Sequence, residues 1–324
     1  MEMRKTIKIN ELRAGGTVDD LFAVRFKKPV TAYKNGFTFQ MWVSDAGGDI
    51  AVKYWGEKDE KGVKALFDTI AKGSVIHVKG KVTEYNNALE VHVNPSSGDS
   101  VAVLKEGEFE VADFVASTSE DVEQMRSQLF ITIRKIKDAH LKQLLESFFG
   151  DEEFVKQFSF CPASITHHSN YIGGLLEHTL RVVKLCEHFA VQYPDLDRDL
   201  LVTGAILHDI GKLREYAVSS IIGATDEGRM IGHLVIGAGM VNDACRLLGD
   251  FPPELNIKVQ HLVLSSHGTT EFGSPKVPLF PEAQALAMAD LSTTRIEDMV
   301  LVKKTANTED DWVQDRNLGS VYLK

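Results

Sequence analysis

Cysteine is scarce in this 324-residue chain, with three residues and no C-x-x-C pair among them. Cys161, Cys186 and Cys245 lie far apart, which excludes the usual close zinc and redox spacings and predicts reduced thiols in the core. No apolar run approaches the roughly 18 residues of a membrane span, so no membrane association is expected. The first sixteen residues carry charges but no apolar h-region, which makes the cytoplasm the expected compartment. Neither an internal repeat nor a low-complexity tract is present.

Positive charge is also in short supply, with 36 Lys+Arg against 46 Asp+Glu and a net charge of −10. That balance argues against a nucleic-acid partner only if it is even along the chain. It is not, because residues 1–105 hold 16 Lys+Arg against 13 Asp+Glu, leaving −13 for the remainder. A surface for a polyanion therefore belongs in the N-terminal third. The 44% hydrophobic and 25% charged content is that of a soluble globular protein, and the length suits two domains.

From about residue 16 to 94 the hydrophobic period is 2, which predicts strands. Phe22, Val24 and Phe26 alternate with Ala23, Arg25 and Lys27. Phe37, Phe39, Met41 and Val43 alternate with Thr38, Gln40, Trp42 and Ser44. Three more strands follow around Ile50, Ile76 and Leu89, with turns at Asn35-Gly36, Gly47-Gly48 and Asn86-Asn87. Residues 58–71 carry Val63, Leu66, Phe67 and Ile70 at helical spacing. Five strands with one helix between the third and fourth is the order of an OB-fold β-barrel, a frequent oligonucleotide binder. Arg25, Lys27, Trp42, Lys53, Trp55, Lys79 and Lys81 fall on the polar phase. Cations for phosphates and rings for bases make Arg25, Trp42, Lys53, Trp55, Lys79 and Lys81 the candidate nucleic-acid contacts. The alternative is a solvated face whose tryptophans complete the barrel core.

After Pro95-Ser96-Ser97-Gly98 the composition turns acidic and then helical. The expected domains are an OB-fold over 1–105, a helical connector over 106–160 and an all-α domain over 161–324, where periods near 3.6 prevail. Eight of the eleven histidines lie between 167 and 267. His178 shares a helix face with Leu175, Val182, Leu185 and Phe189, whereas His188 lies with Glu177, Arg181 and Lys184 on the expected surface. His208 and Asp209 both follow apolar residues around their helix. A buried carboxylate beside a buried imidazole calls for a compensating charge, which a divalent cation supplies. His233 and Asp290 also fall on apolar stripes. Nitrogen and oxygen donors together suit Mn, Fe, Co, Ni or Zn better than Ca.

His178, His208-Asp209 and Asp290, in that order on separate helices, resemble the signature of the HD-domain phosphohydrolases, as does the adjoining H-D-I-G-K of residues 208–212. Residues 160–179, 226–237, 261–283 and 318–323 further resemble the YhaM family, 3′-5′ exoribonucleases that join an N-terminal OB-fold to an HD domain. The family usually reads S-H-H-G where this chain has Ser265-Ser266-His267-Gly268. The resemblance implies a divalent metal, Mn²⁺ first and Fe, Co, Ni, Zn or Mg as alternatives, held by His178, His208, Asp209 and Asp290. It leaves His233 and His267 as candidates for a second ion sharing Asp209, or for phosphate ligands. Lys212 is a candidate to neutralise a phosphate oxygen, with an exposed lysine as the alternative, and His167 and His168 are candidates to meet the scissile phosphate.

The implied activity is hydrolysis of single-stranded RNA, or DNA, from the 3′ end to nucleoside monophosphates, by a monomer or a homo-oligomer. A hydrolase of small or cyclic nucleotides, with the OB domain as a structural or assembly module, is the alternative. A non-catalytic nucleic-acid binder would lack part of the metal quartet.

Overall fold

The computed structural model describes residues 4–86, 88–105, 107–165, 169–306, 308, 310–315 and 317–324. The chain forms two compact units, Met1–Ala116 with Val218–Gly223, and Ser117–Ala217 with Ala224–Lys324.

In the first unit β1 (Thr17–Tyr33), β2 (Gly36–Asp45) and β3 (Gly48–Trp55) form an antiparallel meander, followed by α1 (Glu60–Thr69). β4 (Val75–Tyr85), β5 (Ala88–Val93) and β6 (Ser100–Val103) complete a sheet of order β1-β2-β3-β5-β4-β6. β4 also pairs with β1, from Thr17↔Lys81 to Ala23↔Val75, so the first five strands close on themselves. β3 and β5 are parallel, and α1 belongs to the crossover that a parallel pair requires. This is the expected OB-fold with one strand more, since β6 extends the sheet beside β4. Phe22, Phe39, Met41, Val52, Val78 and Val91 fill the interior.

The alternation expected along β1 fails at Arg25. The register shifts between Val24 and Phe26, and a bulge of this kind exchanges the faces of the residues that follow, up to a second shift between Lys28 and Thr31. Phe26 consequently points outward at 50% exposure. Lys27, expected on the polar face, instead sets its ammonium 3.6 Å from the Phe67 ring centroid and donates to the Phe67 carbonyl. Leu21 and Ala23, opposite the barrel interior, are buried in a second cluster with Val75, Leu104, Phe114 and Ile221. The first hairpin turns at Lys34-Asn35, because Tyr33 pairs with Gly36.

The second unit is helical. It comprises α2 (Val122–Arg134), α3 (Ala139–Phe149), α4 (Glu152–Phe160), α5 (Gly174–Gln192), α6 (Arg198–Leu207), α7 (Lys212–Glu215), α8 (Asp226–Ile231), α9 (His233–Leu248), α10 (Pro253–Leu264) and α11 (Pro281–Thr305). Asp121, Asp138, Asp151 and Asp197 cap α2, α3, α4 and α6 by accepting an otherwise unpaired first-turn N–H. Met125, Leu144 and Phe158 of α2 to α4 share one core with Leu175, Leu201, Val241, Leu262 and Leu286 of the later helices. Two short hairpins supplement the helices that the 3.6 period predicted: β9 (Trp312–Asp315) with β10 (Gly319–Tyr322), and β7 (Tyr216–Val218) with β8 (Ile222–Ala224), of which Val218–Gly223 belong to the first unit. Cys161, Cys186 and Cys245 are buried free thiols. Among the described residues no helix is long and apolar enough to cross a membrane.

Candidate functional site

Three helices and one turn bring four of the expected residues together. His178 lies in the second turn of α5, His208 caps α6, Asp209 follows in the turn to α7, and Asp290 lies in α11. All four are buried. His178 Nε2 is 3.1 Å from Asp290 Oδ1, 3.3 Å from His208 Nε2 and 3.6 Å from Asp209 Oδ2. His208 Nε2 is 3.3 Å from Asp209 Oδ2. Atoms bonded at about 2.1 Å to one tetrahedral ion would lie about 3.4 Å apart.

A second group adjoins the first through the same carboxylate. His233, the first residue of α9, holds Nε2 3.6 Å from Asp209 Oδ1 and 3.3 Å from Nε2 of His267, which follows α10. Asp209, His233 and His267 thus form one candidate metal-holding set, and His178, His208 and Asp290 form another. Gly211 permits this approach. A Cβ there would stand 2.0 Å from the His233 carbonyl oxygen and 2.7 Å from the Gly237 nitrogen.

The hydrogen bonds behind the rings decide what the rings can do. Nδ1 of His208 donates to the Ala205 carbonyl at 2.8 Å, and Nδ1 of His267 donates to the Phe272 carbonyl at 3.0 Å. Nδ1 of His233 lies 2.5 Å from Glu215 Oε2. In the neutral tautomers that the Ala205 and Phe272 carbonyls select, Nε2 of His208 and of His267 presents a lone pair inward. His233 Nε2 faces that lone pair of His267, and Asp209 Oδ1 is buried with no hydrogen-bond donor. With the rings neutral, Asp209, Asp290 and Glu215 bring three negative charges against one positive charge from Lys212. Facing donor atoms and excess negative charge fit a cation.

Lys212 is buried, against the expectation of an exposed lysine as its alternative, and its ammonium donates to Asp209 Oδ2 at 2.7 Å. Burial alone would raise the Asp209 pKa, yet Lys212, His208 and His233 hold it well below the usual carboxylate range. Asp290 is likewise brought to about 2 against the effect of burial, by its hydrogen bond to His178 and, when His208 is protonated, by the charge on that ring. Burial pushes the His267 pKa down, outweighing Asp290 and Asp209. Ser266 is fully buried, and its hydroxyl donates to the Val263 carbonyl at 3.1 Å.

His167 and His168 lie outside the described residues. The segment after them is anchored. Tyr171 and Thr118 donate to Glu177 Oε2 at 2.9 and 2.6 Å, and Ser169 donates to Glu297 at 3.1 Å. Arg181 bridges Glu177 and Glu297. His188 is exposed, but Glu177, expected on the same surface, is buried in this network. Glu215 was missed by sequence reasoning. Its only local signal is its place three residues after Lys212.

On the OB-fold, register aligns Lys28, Gln40, Lys53, His92 and Lys81 in one row across five strands, and Phe26, Trp42, Ala51 and Glu90 in the next. Phe26 and Trp42 stack at 4.5 Å between centroids, with the Lys28 ammonium 4.7 Å from the Trp42 ring. Trp55 meets Tyr33 and His92 edge-on. Lys53 pairs with Glu90 at 2.6 Å, and Arg25 pairs with Asp49 at 3.3 Å. Lys79 and Lys81 are exposed, but Lys79 pairs in register with Asp19 and Ser100, away from that row. The two tryptophans are half-buried and neither belongs to the barrel core.

Residues 175–294 match the HD domain family and residues 27–95 match the OB-fold nucleic acid binding domain family. A curated 3′-5′ exoribonuclease YhaM of Halalkalibacterium halodurans is 29% identical over 279 residues, 86% of this chain and 83% of its own. Its counterpart in Shouchella clausii is 28% identical over 294 residues, 90% of this chain and 88% of its own. Among solved structures, the second OB-fold domain of replication protein A from Methanococcus maripaludis aligns with 32% of this chain and 98% of its own, at 22% identity and a TM-score of 0.24.

Proposed function

The chain is a relative, over nearly its whole length, of the YhaM-family 3′-5′ exoribonucleases, and we propose that it is a divalent-metal-dependent 3′-5′ exonuclease acting on single-stranded RNA. The observation that carries this reading is the Asp209 carboxylate, whose two oxygens face two neighbouring sets of donors. His178, His208, Asp209 and Asp290 would hold one ion, and Asp209, His233 and His267 a second, with Mn²⁺ best suited to the mixed nitrogen and oxygen donors. A bound divalent cation supplies Lewis acidity, which acidifies water and polarises a phosphoryl oxygen.

The chain's own residues do the rest. Ala205 and Phe272 fix the tautomers of His208 and His267, so that their inward nitrogens are free of protons, and Glu215 stands against Nδ1 of His233. Lys212 brings a positive charge into a buried site, where it favours the developing charge on a phosphoryl oxygen and keeps Asp209 ionised. Trp42, Phe26 and Trp55 would stack bases, while Lys28 and Lys81 meet phosphates.

The proposal is tested by incubating the protein with 5′-labelled single-stranded RNA and Mn²⁺. A ladder that shortens from the 3′ end, and vanishes with Asp209→Asn, is the expected result. Hydrolysis confined to mononucleotides or cyclic nucleotides would favour the small-nucleotide hydrolase. RNA binding without cleavage by the metal-loaded protein would favour the non-catalytic binder.

A further inference from the structure

We propose that Phe272 is a stacking platform for the base of the 3′-terminal nucleotide, an inference that rests on the nuclease reading above. Phe272 is 48% exposed, although the loop bearing it is tightly folded. Phe272 and Ser274 donate their amides to the Thr269 carbonyl at 3.2 and 3.1 Å, Gly273 donates to the Thr270 carbonyl at 3.1 Å, and Gly273 takes a φ of +88°. A single exposed phenylalanine on a surface needs no explanation. This one is tied to the site by its own backbone, because the Phe272 carbonyl accepts the Nδ1–H of His267 at 3.0 Å.

Standard covalent dimensions place the ring within roughly 10 Å of the inward nitrogen of His267, comparable to the span from phosphate to base within one nucleotide. The ring is also backed by a cation. The Arg295 guanidinium lies 5.8 Å from its centroid and donates to the Asn317 carbonyl at 3.4 Å. With the cation over one face of a half-exposed residue, the opposite face is the one a base would take. An aromatic ring with an arginine behind it is suited to any base, since every base has a π-face, and it imposes no sequence.

The test compares the parent protein, Phe272→Ala and Phe272→Tyr on two 5′-labelled RNAs that differ only in whether the last nucleotide carries a base. On the intact end, Phe272→Ala should lower kcat/KM by about 10- to 100-fold, chiefly through KM, and Phe272→Tyr should restore it. The affinity of the same RNA measured in EDTA should fall in parallel, and the metal content should stay that of the parent. On the abasic end the parent should already show the loss, with no further loss in Phe272→Ala. Equal losses on both ends, or no loss on either, would overturn the platform while leaving the nuclease reading intact. A parent protein that shortens neither RNA would overturn the nuclease reading, and the platform with it.

Discussion

At the scale of single residues, the site is governed by groups that stand behind the candidate ligands. Asp209 is common to both donor sets, so Asp209→Asn should reduce bound metal and bring hydrolysis below about one-hundredth of the parent rate, while circular dichroism retains the helical signal. Glu215 touches only one set, through His233 Nδ1. Glu215→Gln should therefore weaken one of two metal-binding events by about 10- to 100-fold and spare the other, as read by calorimetric titration of the metal-free protein. Equal weakening of both events would return Glu215 to a general structural role. Lys212 donates to the shared carboxylate, so Lys212→Ala should alter metal affinity as well as rate. A pure kcat effect would confine its ammonium to the phosphoryl oxygen and remove its role at Asp209.

At the scale of elements, close approach and charge hold the helices in place. Gly211 lies where α9 meets the turn after α6, and the Cβ of Gly211→Ala would collide with backbone. The expected cost is about 1 to 3 kcal/mol in urea denaturation, together with loss of the His233 set. Asp199 joins α6 to the loop before α3, accepting the amides of Lys137 and Asp138 at 2.6 and 2.9 Å and pairing with Arg198 at 2.7 Å. Burial alone would raise its pKa, but those amides and Arg198 lower it. A carboxyl with a lowered folded-state pKa contributes stability above its unfolded value, near 4, and loses it as the pH falls through the folded value. Asp199→Asn should then cost about 1 to 2 kcal/mol at pH 7 through the hydrogen bonds lost, with the difference fading as the pH falls below the unfolded value, in melts recorded across pH.

At the scale of the whole molecule, the division of labour between an OB-fold and a metal centre can be read from substrate length. Trp42→Ala and Trp55→Ala should each weaken binding of long single strands by about 1 to 3 kcal/mol and leave turnover of a short model phosphodiester unchanged. RNA affinity should fall with salt, at a log-log slope of about −0.7 per phosphate contacted. Lys28→Ala or Lys81→Ala should flatten that slope more than Arg25→Ala, because Arg25 is already paired with Asp49. Equal loss on long and short substrates would make the barrel an assembly module.

The alternating apolar residues of 16–94 were enough to predict an OB-fold, and the H, HD and D residues on apolar helix stripes were enough to pick out the side chains that now converge around Asp209. Both patterns are local, since strand period, helix period and inward-facing polarity are written residue by residue. The bulge at Arg25 was not legible, because an inserted residue appears only as a register shift against β2, and it moved Phe26 outward and Lys27 inward. The burial of Lys212 and the part played by Glu215 were hidden for a related reason. Each depends on a partner that sequence spacing does not specify, an aspartate oxygen for one and an imidazole nitrogen on α9 for the other. The sequence by itself determined the period of each element and, at His178, His208 and Asp290, which polar side chains share an apolar face. Only the tertiary structure decided which of them touch, because contacts between separate elements depend on packing distances that no local period encodes.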